Sequence, residues 1–135
     1  MKAIPTVSKY MTTQPHTIGS DQTLVKAEKM MREYQIRHLP VLKGGELVGI
    51  LSDRDLKLIE TLKDVDPETV MVDEAFTPDP FVISPSSDLS EVCAEMASHK
   101  YGCALVCDNH KLVGIFTWVD ALHAFNELLE TRLKH

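Results

Sequence analysis

Apolar and polar positions alternate along this chain in two nearly superimposable blocks. In the first, a short extended piece at Thr17-Ile18 follows a proline, and polar residues Ser20-Asp21 stand as candidate helix caps. Leu24, Ala27, Met31 and Tyr34 then recur at helical spacing. Apolar runs at Leu39–Leu42 and Leu47–Leu51 flank the turn residues Lys43-Gly44-Gly45-Glu46 and predict a hairpin. A second helix is predicted over about Asp53–Leu62. The second block repeats this order. Val82-Ile83 is extended, Ser86-Ser87-Asp88 is a candidate cap, and Leu89, Val92 and Met96 mark a helix. Strands Ala104–Cys107 and Leu112–Phe116 flank Asp108-Asn109-His110-Lys111, and a longer helix runs from Trp118 towards Leu133.

The two blocks are copies. Sliding the chain along itself until Thr12 meets Thr77 lays residues 12–55 on 77–120 without a gap. Identities include Pro15/Pro80, Ile18/Ile83, Leu24/Leu89, Met31/Met96, Val41/Val106, Asp55/Asp120 and the run Leu47-Val48-Gly49-Ile50 on Leu112-Val113-Gly114-Ile115; Ser52 falls on Thr117. The expected fold is α+β: two tandem strand-helix-strand-strand-helix repeats, packed sheet to sheet with pseudo-twofold symmetry, because so short a unit cannot cover both faces of its own sheet. Residues 7–62 form the first repeat and 76–126 the second. The acidic, Pro67-containing segment 63–75 reads as a linker with at most one helical turn, and 127–135 extends the last helix.

Composition narrows the function. The chain has 135 residues, 44% hydrophobic and 25% charged, enough for a self-sufficient core. A net charge of −6 gives no positive field for nucleic acid or an anionic membrane, and no apolar run reaches the length of a span. Three cysteines, an odd number, and an N-terminus without a signal-peptide core point to a reducing, cytoplasmic setting. Cys103 and Cys107 lie about 13 Å apart on one strand, too far to share a metal or a disulfide. No metal ligand set is expected, and His99 and His110 are expected at the surface. The chain carries no nucleophile elbow, Walker A loop or dinucleotide-binding glycine motif, so no catalysis is expected.

Gly49-Ile50-Leu51-Ser52-Asp53-Arg54-Asp55 and Gly114-Ile115-Phe116-Thr117-Trp118-Val119-Asp120 carry the candidate chemistry. Two readings of them are open. Ser/Thr-x-x-Asp before a helix is a capping box, hydroxyl and carboxylate each satisfying an early backbone N–H. The same residues suit a ligand: helix N–H groups favour phosphate, the hydroxyl can donate, and an ionised Asp accepts from the two hydroxyls of a ribose. The glycine would let a ligand or a neighbouring strand approach closely.

Together with Ile36-Arg37-His38-Leu39-Pro40-Val41 and the lead-ins Gln14-Pro15-His16-Thr17-Ile18 and Asp79-Pro80-Phe81-Val82-Ile83, these segments resemble cystathionine-β-synthase-type (CBS) domains. Two in tandem resemble a CBS pair, or Bateman module, over about residues 7–125. The resemblance implies a regulatory module without catalytic residues or required cofactor. It would bind AMP, ADP, ATP or S-adenosylmethionine in an inter-repeat cleft, form a homodimer and act on a separate regulated protein. It also implies a site: Thr17, Ile18, Arg37, His38, Leu39, Pro40, Ser52, Arg54 and Asp55 in the first copy, and Val82, Ile83, Cys103, Ala104, Leu105, Thr117 and Asp120 in the second. The aspartates match the ribose position, Ser52 and Thr117 the sugar or phosphate hydroxyl. Ile18, Ile83, Leu39, Pro40, Ala104 and Leu105 match the walls around the base. Where the first copy has Arg37, His38 and Arg54, the second has Gly102, Cys103 and Val119, so the first is the expected phosphate side. Apolar stripes at Leu56, Ile59 and Leu62 and at Leu122, Phe125 and Leu129 are candidate dimer surfaces. The competing function is a ligand-independent dimerisation or scaffold module whose Ser/Thr-x-x-Asp segments only cap helices.

Overall fold

The computed structural model describes residues 3–62 and 64–133. The first residue of the expected linker, Lys63, the expected apolar side chain of Leu133 and the extension over 134–135 lie outside the described residues and side chains. Among the described residues, eight strands and four α-helices follow in the order β1 (Thr12–Thr13), β2 (Ile18–Gly19), α1 (Leu24–Tyr34), β3 (His38–Lys43), β4 (Glu46–Ser52), α2 (Asp53–Glu60), β5 (Thr77–Pro78), β6 (Val82–Ile83), α3 (Leu89–His99), β7 (Cys103–Asp108), β8 (Lys111–Thr117) and α4 (Trp118–Leu133). Short 3-10 turns at Val7–Lys9 and Val72–Glu74 precede β1 and β5. The expected α+β class and the doubled strand-helix-strand-strand-helix order are both present.

The local chemistry of the two copies matches element by element. Both hairpins turn on two residues with positive φ, Gly44 and Gly45 in one, Asn109 and His110 in the other. This conformation follows the right-handed twist of paired strands. Gln35 and Lys100 end α1 and α3 in the left-handed conformation, donating their N–H groups to the carbonyls of Met31 and Met96. At the N-termini only the first copy departs from the cap cluster expected. Thr23, not Ser20 or Asp21, caps α1 by accepting from Lys26 N–H, and Ser20 is buried. Asp88 caps α3 as expected, accepting from the N–H groups of Ser90 and Glu91.

Sequence order and fold order part company at the lead-in segments. The chain divides into one unit of residues 1–14 and 81–135 and another of 15–80. In the second of these, the sheet runs β2-β3-β4-β5; in the first, it runs β1-β8-β7-β6. Each sheet thus gains a fourth, antiparallel edge strand from the lead-in of the other copy: Thr12 pairs with Ile115, and Thr77 with Ile50. The segment before each edge strand is as firmly built in. Val7 and Val72, both fully buried, sit in the cores of these respective units. Residues 64–75, expected as a linker, are hydrogen-bonded along their length: Val70 and Pro67 carbonyls accept from Leu24 and Val25, and Val72 N–H donates to the Gln22 carbonyl. The periodic signal misses this because the segments are too short to show a period, and their partners lie far away in sequence. Gly49 and Gly114 serve the same edge pairing. A β-carbon on Gly49 would collide with the Phe76 ring and the Thr77 carbonyl, and one on Gly114 would sit 3.0 Å from the Thr12 carbonyl.

Each unit has its own core between sheet and helices. Ile18, Leu24, Ala27, Met31, Leu39, Val41, Leu51, Leu56 and Val72 fill one, and Val7, Val92, Met96, Ala104, Val106 and Phe116 the other. Leu39 and Val41 face the helices, while Pro40 between them is buried on the opposite face, as strand alternation requires. Truncating the lead-in valines measures the exchange directly. Val7→Ala and Val72→Ala should each lower stability by about 2 kcal/mol, read from urea unfolding midpoints, because each leaves a void in an occupied core.

Candidate functional site

In the first copy, the end of β4 and the start of α2 fix the candidate acceptor. Ser52 has extended backbone and caps α2; its hydroxyl oxygen accepts from Asp55 N–H at 3.1 Å, and Asp55 Oδ2 accepts from Ser52 N–H at 2.9 Å. The capping box is real. It leaves the Ser52 hydroxyl proton undirected, and Asp55 Oδ1 has no hydrogen-bond partner among the described residues. One donor and one carboxylate oxygen therefore remain for a ligand.

The second copy uses the same residues more completely. Thr117 N–H donates to Asp120 Oδ2 at 2.8 Å and the Thr117 hydroxyl to the same oxygen at 3.1 Å. Asp120 Oδ1 accepts from the Thr12 hydroxyl at 3.2 Å, a bond that the exchanged lead-in supplies. Thr77, at the equivalent register in the first copy, makes no such bond to Asp55 among the described residues. Thr12 thus reaches the candidate site, a contact that the sequence did not flag. Its identity with Thr77 was visible, but its partner lies 108 residues away in the chain.

The remaining candidates divide by sheet face. Beside the Ser52–Asp55 box, β3 pairs His38 with Ser52. These three residues are brought together. Arg37 goes elsewhere: it lines a cavity of about 390 Å³ on the helix side, with Glu28, Met31, Arg32, Gln35, Ile36, Asp53 and Leu56. Its carbonyl, however, anchors the box by accepting from Asp53 N–H at 2.8 Å. Arg54 is exposed and makes no ion pair among the described residues. Ile18, Leu39 and Ala104 are core residues on the helix side, and Ile83 packs against that of the second copy. Pro40 and Leu105 are buried on the other face, Thr17 is half-buried and Val82 is exposed. Leu105 N–H donates to the Phe81 carbonyl at 2.8 Å. Pro40 has no N–H, so the matching bond to the His16 carbonyl cannot form.

Two titratable groups are displaced from their ordinary range. Burial lowers the pKa of His38; Asp55 opposes this, Arg37 adds to it and Asp53 opposes it. At the same register, burial pushes the Cys103 thiol up to about 12, which rules it out as a thiolate nucleophile near neutral pH. All three cysteines are free, and no cluster of three or more candidate metal ligands occurs among the described residues. His99 and His110 are exposed, His99 3.2 Å from Glu95. No helix among the described residues is long and apolar enough to cross a membrane.

Comparison with known proteins agrees with this fold. The CBS domain family model matches residues 7–59 and 72–127, and the chain belongs to that family. The CBS domain-containing protein YhcV of Bacillus subtilis is 32% identical over 109 residues, 81% of this chain and 77% of YhcV. The structure of AcuB from Vibrio cholerae superimposes with a TM-score of 0.87 at 30% identity, covering 98% of both chains. CBSX2, solved in complex with AMP, superimposes with a TM-score of 0.82 at 25% identity, covering 91% of this chain and 97% of CBSX2. Inosine-5'-monophosphate dehydrogenases match as well, and this chain spans only 26% of the one from Korarchaeum cryptofilum.

The two boxes should differ in what their aspartates hold together. Asp120→Ala removes three hydrogen bonds and should cost about 2 kcal/mol, whereas Asp55→Ala removes one and should cost about 1 kcal/mol; chemical denaturation of the two variants checks the order.

Proposed function

We propose that the protein is a non-catalytic sensor in the cytoplasm, binding an adenosyl ligand at its CBS repeats and passing the binding state to a regulated partner protein. The observation that carries this reading is the unspent capacity of the first-copy box. Ser52 keeps a hydroxyl proton and Asp55 keeps one carboxylate oxygen, the complement of a ribose that offers and accepts hydrogen bonds. A helix cap alone requires neither. AMP bound to CBSX2, a relative of the same fold, supports the ligand class. The second box, with its hydroxyl proton and both carboxylate oxygens engaged, is the weaker candidate. Binding acts on a partner through its differential affinity for two arrangements of the module.

A second copy of the chain is the proposed occupant of the α4 surface. Trp118, Leu122 and Phe125 recur at helical spacing and are 47%, 53% and 55% exposed, whereas Leu56 and Ile59 of the first-copy stripe pack into their own core and leave Leu62 alone exposed. That face, rather than α2, carries the dimer. Leu122→Asp and Phe125→Asp should convert a dimer into a monomer in light scattering after size exclusion; unchanged mass would favour another occupant.

Melting curves with AMP, ADP, ATP, S-adenosylmethionine and NAD test the sensor. A ligand at a hundred times its dissociation constant should stabilise the fold by about 2.7 kcal/mol. Asp55→Ala should abolish the larger part of the shift while the fold persists. Flat curves across the panel would leave the scaffold reading in its place.

A further inference from the structure

The helix-side cavity of the 15–80 unit, about 390 Å³, is bordered by α1, the Gln35-Ile36-Arg37 turn that follows it and the start of α2. Neither Ser52 nor Asp55 lines it. Its volume lies at the lower end of the range for small-molecule pockets, roughly 300–1,000 Å³. Met31 and Leu56, both buried, and the half-buried Ile36 form its apolar part. Its charged groups are unequally engaged. Glu28 Oε1 is paired with Arg32 at 3.2 Å and Asp53 Oδ2 with Lys57 at 3.1 Å. The other oxygen of each carboxylate, Glu28 Oε2 and Asp53 Oδ1, accepts no hydrogen bond among the described residues. Arg37 lines the same cavity and makes no ion pair or side-chain hydrogen bond among them, while its carbonyl ties it to Asp53 N–H at 2.8 Å. An open guanidinium, two open carboxylate oxygens and an apolar surface thus border one small volume.

The second copy serves as an internal control. At the register of Glu28, Arg32, Arg37 and Asp53 it carries Cys93, Ala97, Gly102 and Trp118, yet it builds the same strands and helices. The scaffold therefore requires none of the four charges, while the apolar Met31 recurs as Met96. Solvated surface charges need no shared cavity and no apolar surface between them.

We propose that this cavity binds a small α-amino acid with an aliphatic side chain, at a site separate from the Ser52–Asp55 box. Arg37 takes the carboxylate, for which a guanidinium offers paired donors. Glu28 and Asp53 accept from the ammonium, whose three N–H donors suit two carboxylates. The aliphatic branch lies on Met31, Ile36 and Leu56, removing apolar surface from water. A simple anion would use Arg37 and leave the carboxylates idle, and an amine would do the reverse. An aliphatic amino acid uses all three features at once. Binding is non-covalent and independent of the adenosyl reading.

Titration of the full chain with L-leucine, followed by amide NMR shifts, tests the assignment. Saturable shifts should concentrate at residues 28–37 and 53–56. 4-Methylpentanoate, which lacks the ammonium, and 3-methylbutylamine, which lacks the carboxylate, should each bind roughly tenfold more weakly, as should glycine, which lacks the branch. Arg37→Gln and Asp53→Asn should each weaken leucine binding by about tenfold, whereas Lys29→Gln, at an exposed lysine of α1 outside the cavity, should leave it unchanged. The three analogues probe the unaltered protein, so the outcome does not depend on how the variants fold. Absence of a saturable response, shifts centred on other residues, or 4-methylpentanoate binding as tightly as leucine would each overturn the proposal. None of these results would bear on the adenosyl reading, which the melting curves with nucleotides test separately.

Discussion

The exchange of lead-in segments is the constraint on which the rest of this structure depends. Neither repeat completes its own sheet or core. β4 would be an open edge without Thr77-Pro78, and the α1–α2 side of the 15–80 unit would lack the buried Val72. Val7 and Thr12-Thr13 do the same for the other unit. Gly49 and Gly114 are fixed by this pairing, since a side chain there would strike the incoming strand. The pairing also reaches the site, because the Thr12 hydroxyl that occupies Asp120 arrives on the exchanged strand.

Helix capping and the proposed ligand recognition draw on one set of atoms. A carboxylate three residues after a cap hydroxyl is positioned by two backbone bonds whether or not a ligand ever arrives, so its geometry is held in advance. The two boxes then differ in how much capacity is left. In the second, a threonine proton and a neighbouring hydroxyl take up the carboxylate; in the first, one oxygen and one proton stay unassigned. Duplicated sequence has produced one box that is predominantly structural and one that retains valence towards solvent.

Much of the fold was legible in the sequence because the long elements carry a period. Both hairpins, all four helices and the register between copies follow from Leu, Val, Ile and Met spacing, with strand limits extending one residue beyond those expected. The lead-ins were not legible: two-residue strands have no periodicity, and the partners of Val7, Thr12, Val72 and Thr77 lie in other parts of the chain. Of the site, the Ser52–Asp55 and Thr117–Asp120 boxes could be read from local spacing alone. The separation of Arg37 from His38 could not, since it depends on which sheet face α1 and α2 cover. Nor could the wall residues Ile18, Leu39 and Ala104 be told from core residues, because burial against a helix and burial against a ligand select the same side chains.

The exchanged lead-in also says what a single repeat would have to do. Cut between its copies, each half would carry the edge strand and valine plug that fit the other sheet, and would leave its own edge unmated. A lone repeat would recover them only from a second molecule, by swapping, at a cost set by protein concentration. Joining two repeats in one chain replaces that concentration with a fixed, much higher effective one. Tandem duplication here is therefore a folding device before it is a way of doubling sites, and it frees the two boxes to diverge while the shared scaffold stays intact.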